Sequence, residues 1–183
     1  MANKQSLRDL QTRLAERMQQ VRTEQPGVSW LAVDCAGQGL LFALRQAGEI
    51  FKLGTVLPVP HTQAWLAGVV NLRGGVCTVV DLAAFLGLRN AAHPVVPAQC
   101  RLVGFNLALQ VNGALLVDRL EGLRHAADLK IDAESPDNGE QASGSSARPA
   151  FALARWRDDA GRVWQEIDLA ELARMPQFLA VTG

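Results

Sequence analysis

The chain has 183 residues, 49% of them hydrophobic, enough to bury the core of one domain or of two small units packed together, and too apolar for a largely disordered protein. Eighteen basic residues balance eighteen acidic ones, so no global field draws the chain to nucleic acid, and only the N-terminal segment carries a basic stripe. Cys35, Cys77 and Cys100 are odd in number and lack the spacing of a zinc site, so they read as buried free thiols in a reducing compartment.

In chain order, Leu7, Leu10, Leu14, Met18 and Val21 recur every three or four residues, the apolar stripe of an amphipathic helix. Pro26 and Gly27 end it, so residues 1–27 are expected to form an N-terminal helical extension to a domain spanning 28–183. It lacks the apolar core of a signal peptide, and later apolar runs are far too short to span a bilayer, which predicts a cytoplasmic protein without direct membrane contact. Beyond Trp30 the period changes. Leu31, Val33 and Cys35 alternate with Ala32 and Asp34 as in a half-buried strand, Gly37-Gln38-Gly39 turns, and Leu40 to Leu44 returns. Glu49 to Leu53 is a further short strand; Pro58 and Pro60 hold Val59 extended, and Thr62 to Leu66 is expected to make one helical turn.

The segment from Gly68 to Gly87 is the most informative. Gly68 can close a turn, Val69 and Val70 read as strand, and Asn71-Leu72-Arg73-Gly74-Gly75 supplies the residues of a reversal. Val76 to Val80 re-enters a core, Asp81 can cap the helical turn Leu82 to Leu86, and Gly87 suits a left-handed exit. An arginine on a short connection between two buried strands is held firmly, and its planar fork can clamp a carboxylate or carbonyl pair on a partner. The plainer reading of Arg73 is a solvated side chain. Asn71 is expected to bond the turn backbone and Gly74 to permit its φ, while Val59, Pro60 and Leu66, with Trp65 near a surface edge, form an apolar shoulder.

Residues 90–99 form a stiff proline-containing connector. Arg101 to Gln110 and Gly113 to Asp118 read as strands around Asn112-Gly113, the strongest hairpin signal in the chain. Residues 132–148 lack large apolar side chains and are expected to be a disordered loop. Phe151 to Trp156 and Val163 to Ile167 make a last hairpin, with Trp156 and Trp164 facing each other across it. Asp168 then caps Leu169 to Leu172, and Pro176 interrupts that helix. Val80-Asp81-Leu82-Ala83 recurs as Ile167-Asp168-Leu169-Ala170, so a mainly β protein of two related units is expected, each ending in a short helix.

Catalytic signals are missing. His61, His93 and His125 are far apart and lack the acidic neighbours of a zinc motif, no nucleophile elbow or phosphate loop occurs, and Ser29 has no evident activator. Asp81, Asp118 and Asp168 read as caps or turn acceptors. No catalytic residue, metal or cofactor is expected; the rival readings are a hydrolase with a site between the two β units, or a scaffold for some other regulator.

The residues Val59-Pro60, Trp65, Gly68-Val69-Val70-Asn71-Leu72-Arg73-Gly74 and Val79-Val80-Asp81-Leu82, with Leu115-Leu116-Val117-Asp118-Arg119-Leu120 further on, resemble the CheW-like family of chemotaxis coupling proteins. Ser29-Trp30-Leu31-Ala32-Val33 and Gln46-Ala47-Gly48-Glu49-Ile50 look most like the PilI-like adaptors of type IV pilus chemosensory systems. The resemblance implies two small SH3-like β-barrels packed together and a noncatalytic adaptor. Its implied partners are the regulatory domain of a CheA-like histidine kinase and the cytoplasmic tip of a methyl-accepting chemoreceptor, in an array that controls twitching motility. It also implies that the arginine of Asn71-Leu72-Arg73-Gly74 supports those interfaces.

Overall fold

The computed structural model describes residues 28–90, 99–132 and 149–182. The expected N-terminal helix, most of the connector and nearly all of the expected loop lie outside these residues. Among the described residues, eleven strands form two curled sheets. The first sheet is built from both ends of the chain: β1 Ser29–Cys35, β2 Gln38–Ala43, β8 Arg119–His125, β9 Leu129–Ile131, β10 Ala152–Asp158 and β11 Val163–Ile167, in the order β8-β1-β2-β11-β10-β9. The second is built from the middle: β3 Ala47–Lys52, β4 Leu66–Leu72, β5 Gly75–Asp81, β6 Arg101–Phe105 and β7 Gly113–Val117, in the order β3-β6-β7-β5-β4. Each sheet contains one parallel pair, β2 with β11 and β5 with β7, and a short helix follows β5 and β11 at equivalent places. These are α1 Leu82–Phe85 and α2 Leu169–Arg174, with α3 Pro176–Leu179 beyond. The repeated Val/Ile-Asp-Leu-Ala motif therefore marks one structural position in both units.

Three apolar clusters hold the fold. The largest lies between the sheets and takes Leu31, Val33 and Phe42 from one, Val103, Leu115 and Val117 from the other, and Leu82, Leu169 and Phe178 from the helices. Inside the first sheet, Trp30, Ala32, Leu41 and Trp164 pack together; inside the second, Val70, Val79, Leu102 and Leu116 do. β1 is thus covered on both faces, where alternation suggests a half-buried strand. Its second face is hidden by tryptophans from distant segments. The Trp30 and Trp156 rings meet at 5.1 Å, and both indole N–H groups donate to the Glu166 carboxylate at 2.9 Å. Trp156 and Trp164 are in register as expected, and the Arg162 guanidinium stacks 4.4 Å from the Trp164 ring.

Several local expectations fail for identifiable reasons. Gly68 closes no turn: it sits inside β4 at a bulge, with φ +138°, where the Leu57 carbonyl approaches so closely that a Cβ would lie 2.2 Å from it. Leu57 and Val69 exchange two backbone hydrogen bonds of 2.8 Å there. Thr62 to Leu66 forms no helix, because Thr62 bridges to Thr182 and Leu66 already begins β4. Asn112-Gly113 is not a two-residue hairpin loop. β6 ends at Phe105, a 3-10 turn Leu107–Leu109 follows, and the Asn112 side chain instead binds β5, donating to the Val76 carbonyl at 2.7 Å. Asp132 belongs to the ordered fold, buried and paired with Arg157 at 2.9 Å.

Candidate interaction site

Leu72 pairs with Gly75 across the β4–β5 ladder, so the connection is only Arg73 and Gly74. Their φ angles are +52° and +83°, the two positive values of a type I′ turn, whose twist suits right-handed strands. Asn71 fastens the reversal: its Oδ1 accepts from the Gly74 N–H at 2.9 Å. Asparagine, aspartate or glycine suits the first position of such a turn, and an arginine held there costs about 1 kcal/mol of backbone strain. Its side chain is 75% exposed and donates through Nη2 to Oε1 of Glu49 on β3. Because β3 and β4 are the two edges of the second sheet, this ion pair spans the seam where the sheet curls on itself. An exposed pair contributes at most about 1 kcal/mol. Its effect is to aim Arg73.

Arg73 and Glu49 stand at the rim of a groove of about 570 Å³ walled by Phe51, Leu72, Cys77, Phe105 and Val111. Leu107 projects from the 3-10 turn at the lip, 93% exposed, and Asn106 caps that turn by accepting from the Ala108 N–H at 3.0 Å. The result is an apolar trough with one cation and one carboxylate at its edge.

The other expected interface residues lie elsewhere. Val59 and Pro60 are exposed and line no part of this groove. Leu66 is no shoulder: at 9% exposure it belongs to the core between the sheets, because its β4 position points inward. Trp65 is half-buried, edge-on to Phe85 at 5.2 Å and stacked with Phe178 at 6.2 Å. Phe85 in turn lines a second cleft, about 300 Å³, with Leu40, Phe151, Ile167 and Met175, between the first sheet and α1. Trp65 therefore supports that wall and not the Arg73 turn.

Asp81 and Asp168 are helix caps. Asp81 Oδ1 accepts from the Ala84 N–H at 3.1 Å, and Asp168 Oδ1 accepts from Ala170 and Glu171 at 2.9 and 3.1 Å. Asp81 does more, and Asp118 is not a simple turn acceptor. Arg89 donates to both carboxylates at 2.8 Å, and all three side chains are largely buried. Burial alone would lower the Arg89 pKa, yet hydrogen bonds to and attraction by Asp81 and Asp118 hold it above the ordinary value. A guanidinium locked between two carboxylates leaves neither free as a general base. Burial, with the charge of Asp118 next, pushes the Cys35 thiol up, which makes it inert. Ser29 does have a histidine neighbour, correcting the sequence expectation: its Oγ lies 2.9 Å from Nδ1 of His125, which β8 brings alongside β1. The Asp128 carboxylate accepts from the His125 backbone N–H at 3.1 Å, and the His125 ring faces the Asp128 backbone N–H in a capping box, so this carboxylate is spent on the 3-10 turn and does not orient the imidazole as a triad acid would.

Glu49, which the sequence marks only as a strand residue, and Leu107 and Arg89 are not legible as site residues from the sequence. Each acts on a residue or surface from a distant segment, and the local signal that could have marked the lip is Asn106, a residue type suited to capping the turn after it.

Comparison with known proteins agrees with this architecture. The model of the CheW-like domain matches residues 29–177. The chain belongs to the CheW-like domain family. Members of this family are noncatalytic adaptors. The CheW-like chain is 34% identical over 102 residues to the chemotaxis protein CheW of Rhizobium meliloti strain 1021, covering 52% of this chain and 59% of that one. It is 28% identical over 99 residues to the protein PilI of Pseudomonas aeruginosa, covering 53% of each. These alignments span a little over half the length of the relatives. The fold matches the crystal structure of the scaffolding protein TtCheW from Thermoanaerobacter tengcongensis with a TM-score of 0.63 at 16% identity, over 82% of this chain and 95% of that one.

Proposed function

We propose that this CheW-like protein is a coupling adaptor of a chemosensory array, joining the cytoplasmic tip of a methyl-accepting receptor to the regulatory domain of a CheA-like histidine kinase. The observation that carries the reading is Arg73. A charged residue stands at a strained left-handed turn position that glycine would occupy freely, exposed and aimed by Glu49 over an apolar groove. Strain kept at an exposed turn tip is explained by a contact that needs the side chain there. Asn71 and Gly74 set the backbone of that contact, and Val59 and Pro60 supply a separate exposed apolar edge. Trp65 and Leu66 act from within, supporting the cleft wall and the core.

The mechanism is placement: kinase output changes because the adaptor holds two partners in one geometry, a coupling free energy and not a bond-making step. Residues 28–183 act as a single domain of two interleaved β units. No helix among the described residues is long and apolar enough to cross a membrane, so attachment to the membrane would come through the receptor. The output is read as type IV pilus twitching, on the likeness to PilI. The test is capture of a CheA-like kinase and a receptor tip by the full chain and by Arg73→Ala, with folding of both checked by circular dichroism. Capture by wild type and its loss in the variant is expected. A folded wild-type chain that captures neither partner would defeat the proposal.

A further inference from the structure

The strands pass between the two sheets twice, through residues 44–46 from β2 to β3 and through Asp118 from β7 to β8. Each crossing carries a polar side chain that reaches the aspartate capping the short helix of one unit. At the first, Gln46 Nε2 donates to Asp168 Oδ1 at 2.9 Å, a link with one charged partner. At the second the link is ionic: Asp118 holds Arg89, and Arg89 holds Asp81, with side-chain exposures of 11, 14 and 6%. Asp118 also reaches into the other sheet. Its Oδ2 accepts from the Ala36 N–H at 2.7 Å, its own N–H donates to the Asp34 carbonyl at 3.0 Å, and the Asp34 carboxylate takes Arg162 at 2.6 Å. One unbroken polar chain therefore runs from the end of β5 in the second sheet to the β1–β2 and β10–β11 turns of the first.

The sheets are also joined by the large apolar cluster between them, and apolar contact is non-directional, so it resists separation more than it resists tilt. Two carboxylates on one planar guanidinium are directional. We infer that Arg89 and Asp118 are positioning residues that set the angle between the two sheets, and that coupling depends on this angle more than on the affinity of either surface. This rests on the adaptor reading above. The lever is long: Asp81 and the Arg73 turn lie at opposite ends of β5, seven residues or about 20 Å apart. A tilt of roughly 10° about the Asp81 end moves the Arg73 turn by roughly 3–4 Å, the length of a hydrogen bond or more.

The experiment uses the full chain with spin labels on exposed Lys52 of β3 and Lys130 of β9, replaced by cysteine in a Cys77→Ser background, Cys35 and Cys100 being buried. Asp118→Asn keeps the shape and an acceptor for Ala36 but removes the charge facing Arg89; Arg89→Lys keeps the charge but cannot fork between two carboxylates. Pulsed spin-resonance distances should be narrow in the parent and at least twofold broader in both variants. Binding of isolated kinase or isolated receptor tip should stay within about twofold, while receptor-dependent kinase output falls at least tenfold. Unbroadened distances in both variants, broadened distances with full coupling, or loss of fold in both would overturn the inference. If one variant fails to fold, the other decides. Should wild type bind neither partner, the adaptor reading and the coupling half of this inference fall, while the distance widths still test the strut itself.

Discussion

Replacing Gly68 by alanine isolates the contact that locks β4 in place. At φ +138° the backbone occupies a region open essentially to glycine, and the new Cβ would stand 2.2 Å from the Leu57 carbonyl oxygen and 2.8 Å from its carbon. Relief requires a shift of about 1 Å or more between two backbones, because non-bonded carbon atoms rest about 3.5–4.0 Å apart. That shift breaks the paired Leu57–Val69 hydrogen bonds, both 2.8 Å, at about 1 kcal/mol each. The strained φ adds about 1–3 kcal/mol, so the variant should lose about 3–5 kcal/mol in all. Urea unfolding followed by tryptophan fluorescence would read this as a lower midpoint at unchanged slope. Gly54→Ala is the control, since no atom lies within 4 Å of its added Cβ, and it should stay within about 1 kcal/mol of wild type. A Gly68→Ala protein equally close to wild type would refute the reasoning.

Arg73→Gly should leave stability within about 1 kcal/mol of wild type, as relief of the φ +52° strain offsets loss of the exposed Glu49 pair, while partner capture is lost. A large stability change in chemical denaturation would show that the pair holds the sheet seam. Arg89→Leu strands two largely buried carboxylates and should cost about 3–5 kcal/mol; a fall of less than about 1 kcal/mol would mean that solvent reaches them freely. Acid should destabilise the protein through Glu121 and Asp158. Burial would raise both pKa values, but hydrogen bonds from Arg119 and Arg162 hold Glu121 below its usual 4.5, and those from the Trp164 indole and the Arg162 and Ala160 backbone hold Asp158 below 3.8. Lowered folded values mean that the unfolded chain binds more protons in acid, so this stability is present above about pH 4.5 and lost as pH falls through the folded values. Unfolding free energy measured from about pH 6 to 3 should show that loss, and Glu121→Gln should flatten it; an identical slope in the variant would contradict the assignment.

Local chemistry was legible wherever a residue acts on its near neighbours. Asp81 and Asp168 cap the helices that follow them, Asn71 binds the turn it precedes, and Gly87 takes φ +71° just past α1. Where the reading failed, a distant segment had intervened. Gly68 answers to the Leu57 carbonyl and not to a turn, and Asn112 spends its amide on Val76 instead of closing a hairpin. Ser29 meets a histidine 96 residues away. Of the expected interface residues, Arg73 reached an open groove but Leu66 went into the core, since an apolar side chain beside a turn carries no mark of which face of its strand will be covered.

The sequence by itself determined the mainly β character, the reversal at Arg73 and the paired Asp-capped helices, because strand alternation, turn conformation and capping are settled within a few residues. The interleaving of the two sheets was decided by tertiary structure, which closes the seam with Glu49 and Arg73 and joins Asp81 to Asp118 through Arg89. Those contacts need groups 24, 8 and 29 residues apart to meet. Only the burial of the shared apolar core brings them within hydrogen-bonding distance, and no local preference encodes which distant partner that burial will supply.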